Sequence, residues 1–76
     1  MSKKTHIGKI IHDKLQEDGR TASWLAKKVN CSRTNIYKIF QKQHIDTLLL
    51  LQISIALEFD FFVYYSETAR ESFNRT

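Results

Sequence analysis

Between Thr21 and Gln41 the apolar pattern stops and restarts within two residues, and that interruption limits the folds open to this chain more than any other feature. Thr21 can cap a helix running through Val29, with Leu25 and Val29 inward four residues apart and Trp24 beside them. Ser32 can cap another through about Gln41, its hydroxyl accepting from the orphan amides of the first turn. Only Asn30 and Cys31 lie between, and asparagine is the non-glycine residue that best tolerates a left-handed backbone. Two short helical patterns must therefore pack against each other across a polar bend, without a proline or glycine to shape it.

The flanking segments follow the same period. Ile7, Ile10, Ile11 and Leu15 recur at three- and four-residue steps and predict a helix from about Thr5 to Asp18, ended by Gly19 where a left-handed backbone costs little. Gly8 inside it costs about 1 kcal/mol relative to alanine, so this helix leans on packing. Asp46 can cap a fourth, very apolar helix to Leu57, and Asp60 a short fifth over Phe61 to Ser66. No alternating pattern competes, so the chain reads as one all-α domain, residues 1–66, followed by a tail, 67–76. At 76 residues there is room for a single core that buries about 60% of the unfolded surface.

Several functions are excluded by what these residues lack. Asp46, Gln52, Glu58 and Asp60 interrupt the apolar stretch from Ile45 to Tyr65, and its longest uncharged run, Thr47 to Leu57, has the length of a buried helix rather than a bilayer span. Cys31 is the only cysteine, so it forms no internal disulfide, and no hydrophobic run begins the chain. A reducing, cytoplasmic setting is the expectation. His6, His12 and His44 stand at no recognised metal spacing, two glycines make no phosphate-cradling loop, and Cys31 has no evident third group to complete a nucleophile–base pair. Neither catalysis, a cofactor nor a metal is expected.

Charge is distributed unevenly. Residues 1–45 hold ten basic side chains against three acidic ones, a net of +7, whereas residues 46–76 hold two against five, a net of −3. A basic half facing a polyanion and an apolar, slightly acidic half serving structure is the arrangement this implies. The third helix sharpens it. At 100° per residue Ile36, Ile39 and Phe40 share one arc, while Thr34, Tyr37, Lys38 and Gln41 share the opposite one with Arg33 beside them. That second arc carries no carboxylate, and its residue types can hydrogen-bond to base edges and phosphates.

Residues 5–66 resemble the five-helix DNA-binding domain of the phage-repressor and Cro family of helix-turn-helix proteins, also called the xenobiotic-response-element family. Ala22 to Gln41 matches the twenty-residue helix-turn-helix unit, with Leu25 and the small Ala26 in the second helix, Asn30 at the turn, and Ile36 and Ile39 in the third. The downstream LLLLQISIALEFDFF is similar to the family's fourth and capped fifth helices. Three positions depart from the usual pattern: Ala22 stands where glutamine is common, Asn30 where glycine is, and Phe40 where an acid is frequent. The expected architecture is a compact, lambda-repressor-like five-helix domain.

The resemblance implies that the third helix enters the major groove of double-stranded DNA. Arg33, Thr34, Tyr37 and Lys38 are then the expected base contacts, with Asn35 toward the flank. Ser23, Lys27, Lys28, Ser32, Gln41 and Lys42 are the expected phosphate contacts, and Lys3 and Lys4 form a short basic arm. On the fourth helix the resemblance places Leu50, Ile53 and Leu57 in the core, which leaves Leu48, Leu51 and Ile55 on a separate arc. With Phe62 of the FFVYY segment they are the expected homodimer interface, unless the tail folds back over them. The function expected is transcriptional repression or regulation. The alternative is a protein-interaction module that keeps the fold, such as an antitoxin or an anti-repressor partner.

Overall fold

The computed structural model describes residues 5–74. These form five helices, α1 (Ile7–Glu17), α2 (Ala22–Lys28), α3 (Arg33–Phe40), α4 (Thr47–Leu57) and α5 (Val63–Asn74), with no strand among the described residues. The basic arm expected at Lys3 and Lys4 lies outside the described residues.

Each of the first four helices begins at a side chain that satisfies a first-turn amide. Thr21 accepts from the Trp24 amide and Ser32 from that of Asn35, both at 3.1 Å, and Asp46 accepts from the Leu49 amide at 3.0 Å. At α1 the cap is His6, whose Nδ1 accepts from the Lys9 amide at 3.1 Å. The helix therefore starts two residues later than the apolar period predicts.

Three corners close with one motif, in which a left-handed residue and its successor donate back to the last turn. After α1, Gly19 (φ 69°) and Arg20 donate to the carbonyls of Gln16 and Leu15. After α2, Asn30 (φ 57°) and Cys31 donate to Lys27 and Ala26, as the bend composition predicts. After α4, Glu58 (φ 52°) and Phe59 donate to Ile55 and Ser54. Nothing in glutamate favours this conformation, and its use at 58 is not evident from sequence.

The core draws on the first four helices. Ile7, Ile11 and Leu15 of α1 meet Leu25 and Ala26 of α2, Val29 at its C-cap, Ile36 and Ile39 of α3, and Leu50, Ile53 and Leu57 of α4, with Phe61 fully buried among them. Burying an aliphatic or phenyl side chain contributes about 1.5–3 kcal/mol, so these residues carry most of the favourable free energy. Ser54 is buried with them without cost, because its hydroxyl donates to the Leu50 carbonyl at 2.8 Å and accepts from the Phe61 amide at 3.5 Å. That bridge ties α4 to the turn that drives Phe61 inward.

The fifth helix differs from the expectation in both position and length. It starts at Val63 rather than Phe61, because Asp60 builds a turn ahead of it, with Oδ1 accepting from the Phe62 amide at 3.0 Å. It then runs past residue 66 to Asn74. Glu67, Ala69, Arg70 and Glu71 favour helix and no glycine or proline intervenes, while the Thr68 and Ser72 hydroxyls each donate to the carbonyl four residues back at 2.9 Å. None of its residues is buried.

Candidate nucleic-acid interface

On α3 the inward arc holds as predicted, since Ile36 is fully buried and Ile39 nearly so. The outward residues Arg33, Thr34, Asn35, Tyr37 and Lys38 are all exposed, and Gln41, which caps the helix, is exposed with them. Phe40 is only half-buried. It stands at the margin of the helix in edge-on contact with His12, ring centroids 4.8 Å apart, and with Tyr37 at 6.0 Å. An acid in its place would put negative charge beside the exposed face. Here the entire run from Gly19 to Ile45 contains no carboxylate.

Ser32 has two roles that do not compete. Its oxygen accepts from the Asn35 amide, which fixes the start of α3, and its hydroxyl proton remains able to donate to an incoming oxygen. On α2, Ser23 and Lys27 are exposed. Lys28 is exposed too, but its ammonium lies 5.6 Å from the centroid of Trp24, whose ring also carries the Arg20 guanidinium at 4.6 Å. Asp18 and Glu58 line the same groove as Lys28.

The first helix is docked onto the end of α3 through backbone. The Ile7 and Gly8 amides donate to the carbonyls of Gln43 and Lys42, each at 3.0 Å. Gly8 is what allows this approach. A Cβ there would press on the Ile39 carbonyl oxygen and come within 2.6 and 2.7 Å of those of Phe40 and Lys42. The docking brings His6, Lys9 and His12 alongside Tyr37, Phe40 and Gln41, and these six residues line one groove. Sequence reasoning missed this extension, although the three-residue spacing of His6, Lys9 and His12 puts them on adjoining turns of one helix face.

Two groups elsewhere hold their protons beyond the ordinary range. Lys14 does so chiefly because its ammonium donates to Glu17, at 3.3 Å, with Asp18 adding to the effect. Partial burial raises the Tyr65 phenol. Neither borders α3.

On α4, Leu48 is 60% exposed, Leu51 45% and Ile55 67%. Residues 65–74 are themselves exposed, so the tail does not cover this stripe among the described residues. Phe62 is half-buried and packs partly against the core.

No helix is long and apolar enough to cross a membrane among the described residues. Neither a family model nor a curated protein matches the chain. Solved structures do. The chain is similar to the restriction-modification controller protein C.Esp1396I, whose wild-type crystal structure superposes with a TM-score of 0.67 at 25% identity over 92% of each chain. A single-residue variant of that protein gives 0.68 over 95% of this chain and 92% of that one. Five helices in this order, without a strand among the described residues, are thus the fold of a small helix-turn-helix controller protein.

Proposed function

We propose that this chain is a sequence-specific, double-stranded DNA-binding protein that acts as a transcriptional repressor or regulator, with α3 as its recognition helix. The observation that carries the reading is the outward face of α3, exposed from Arg33 to Gln41, free of carboxylates, and held outward by Ile36 and Ile39 buried behind it. Likeness in fold to a controller protein supports the same role. An α-helix of this width fits the major groove, where donors and acceptors distinguish all four base pairs. Arg33 is assigned a bidentate contact to guanine, and Thr34, Tyr37 and Lys38 the neighbouring base edges. Ser23, Lys27, Lys28, Ser32, Gln41 and Lys42 are assigned to phosphates, which fix register without reading sequence.

A second copy of the chain completes the proposal. Leu48, Leu51 and Ile55 form an exposed apolar stripe on α4, and pairing it across a twofold axis with Phe62 at its border would present two copies of α3. Two half-sites about 34 Å apart, one turn of duplex, are the geometry such pairs read.

Selection from random duplexes by the purified protein tests the whole reading. The expected result is an enriched, pseudo-palindromic motif, with an apparent affinity that falls steeply with salt. Arg33→Ala should relax preference at one position per half-site by about 1–3 kcal/mol, while Lys27→Ala weakens all sequences alike. A protein-interaction module of the antitoxin kind would enrich no motif and show little salt dependence.

A further inference from the structure

We propose that the groove between the start of α1 and the end of α3 is a second phosphate site, in which Lys9 and His6 hold the DNA backbone beside the base-reading face. The inference rests on the DNA-binding reading above and adds to it an element, α1, that the helix-turn-helix unit does not contain.

Continuity is the first argument. Tyr37 and Gln41 belong to the outward face of α3 and also line this groove, opposite His6, Lys9 and His12. A duplex seated on α3 therefore runs its backbone past α1. The second argument is the donor set. The amides of Ile7, Gly8, Lys9 and Ile10 are already committed, to Gln43, Lys42, His6 Nδ1 and the His6 carbonyl, so capture falls to side chains rather than to the helix terminus. Lys9 is exposed and makes no ion pair among the described residues. His6 accepts at Nδ1 to cap the helix. That fixes its proton on Nε2 and makes it a neutral donor for a ligand oxygen.

His12 closes the groove beside them, edge-on to Phe40 and with its Nδ1 3.5 Å from Asp13 Oδ1. No carboxylate lines the groove itself, so a phosphodiester is the anion that suits its donors.

The test measures binding of the full chain to a random-sequence duplex by fluorescence anisotropy in a salt series. Lys9→Gln should reduce the slope by about 0.9, so that about 3.5-fold less affinity is lost between about 50 and 200 mM salt. Lys9 is exposed, and an unchanged melting profile shows that its variant folds. Wild-type slope in the Lys9 variant overturns the proposal, and Lys27→Ala still weakening the same duplex would show that the α3 reading stands without it. Failure of the wild type to bind duplex overturns both.

Discussion

Replacing Gly8 by alanine should destabilise the protein, although the substitution raises helix propensity. In an unencumbered helix it would gain about 1 kcal/mol. Here the new methyl group meets three backbone oxygens, of Ile39, Phe40 and Lys42, the latter two at 2.6 and 2.7 Å. Backbone carbonyls cannot rotate aside as a flexible side chain does, so α1 must move off α3. Overpacking of this kind costs about 1–3 kcal/mol. The shift also loosens the Ile7–Gln43 and Gly8–Lys42 hydrogen bonds, each contributing about 0.5–1.5 kcal/mol. The net loss is about 1–5 kcal/mol, a large share of the stability of so small a domain. At about 4–8 °C per kcal/mol, the melting temperature followed by circular dichroism should drop by at least about 4 °C and by well over that at the centre of the range. Gly19→Ala is the comparison, because its φ of 69° is strained for alanine while its surroundings are empty. It should cost only the left-handed penalty of about 1–2 kcal/mol. A Gly8→Ala protein that melts at or above the wild type would refute the close docking of α1 on α3.

Three further outcomes are expected. Glu58→Gly removes the strain of a left-handed glutamate at the end of α4 and should stabilise by about 0.5–1 kcal/mol, read as a higher denaturant midpoint at constant slope. Leu51→Glu, or Ile55→Glu, places a charge on the exposed stripe of α4; sedimentation should show monomers with an unchanged melting profile when dimers are dissociated, and an unaltered dimer would move the interface elsewhere. Lys14 and Tyr65 bind their protons more tightly in the folded state. Their stabilising contribution is therefore full below the ordinary values of 10.5 and 10.0 and is lost as pH rises through the folded ones. Melting temperature should fall on the alkaline side, and less so in a Lys14→Met, Tyr65→Phe double variant.

The parts of this architecture that local chemistry determines were legible in the residues themselves. Thr21, Ser32 and Asp46 cap as their types predict, Asn30 takes the left-handed bend, and period alone separates Ile36 and Ile39 from the face opposite. What escaped depends on neighbours distant in sequence. Gly8 reads as a weakness until the carbonyls of α3 are placed against it. His6, Lys9 and His12 look like isolated surface residues until Tyr37 and Gln41 arrive from thirty positions away. The extent of α5 was missed for the opposite reason: no burial marks residues 66–74, so the helix there leaves no apolar period to detect. Lys28, one of six side chains assigned to phosphates, turned out to share its surroundings with Trp24, Asp18 and Glu58.

The lack of any buried residue in α5 bears on cooperativity. A solitary helix of about a dozen residues is marginal in water, because nucleation is unfavourable and few hydrogen bonds follow it. Beyond its first turn, α5 has little to couple it to global unfolding. Its amides should exchange with solvent through a subglobal opening of small free energy, while those of Ile11 and Ile53 wait for the whole molecule to unfold. If assembly through α4 also enlists α5, the protection of those outer amides will rise with protein concentration and register self-association along the chain.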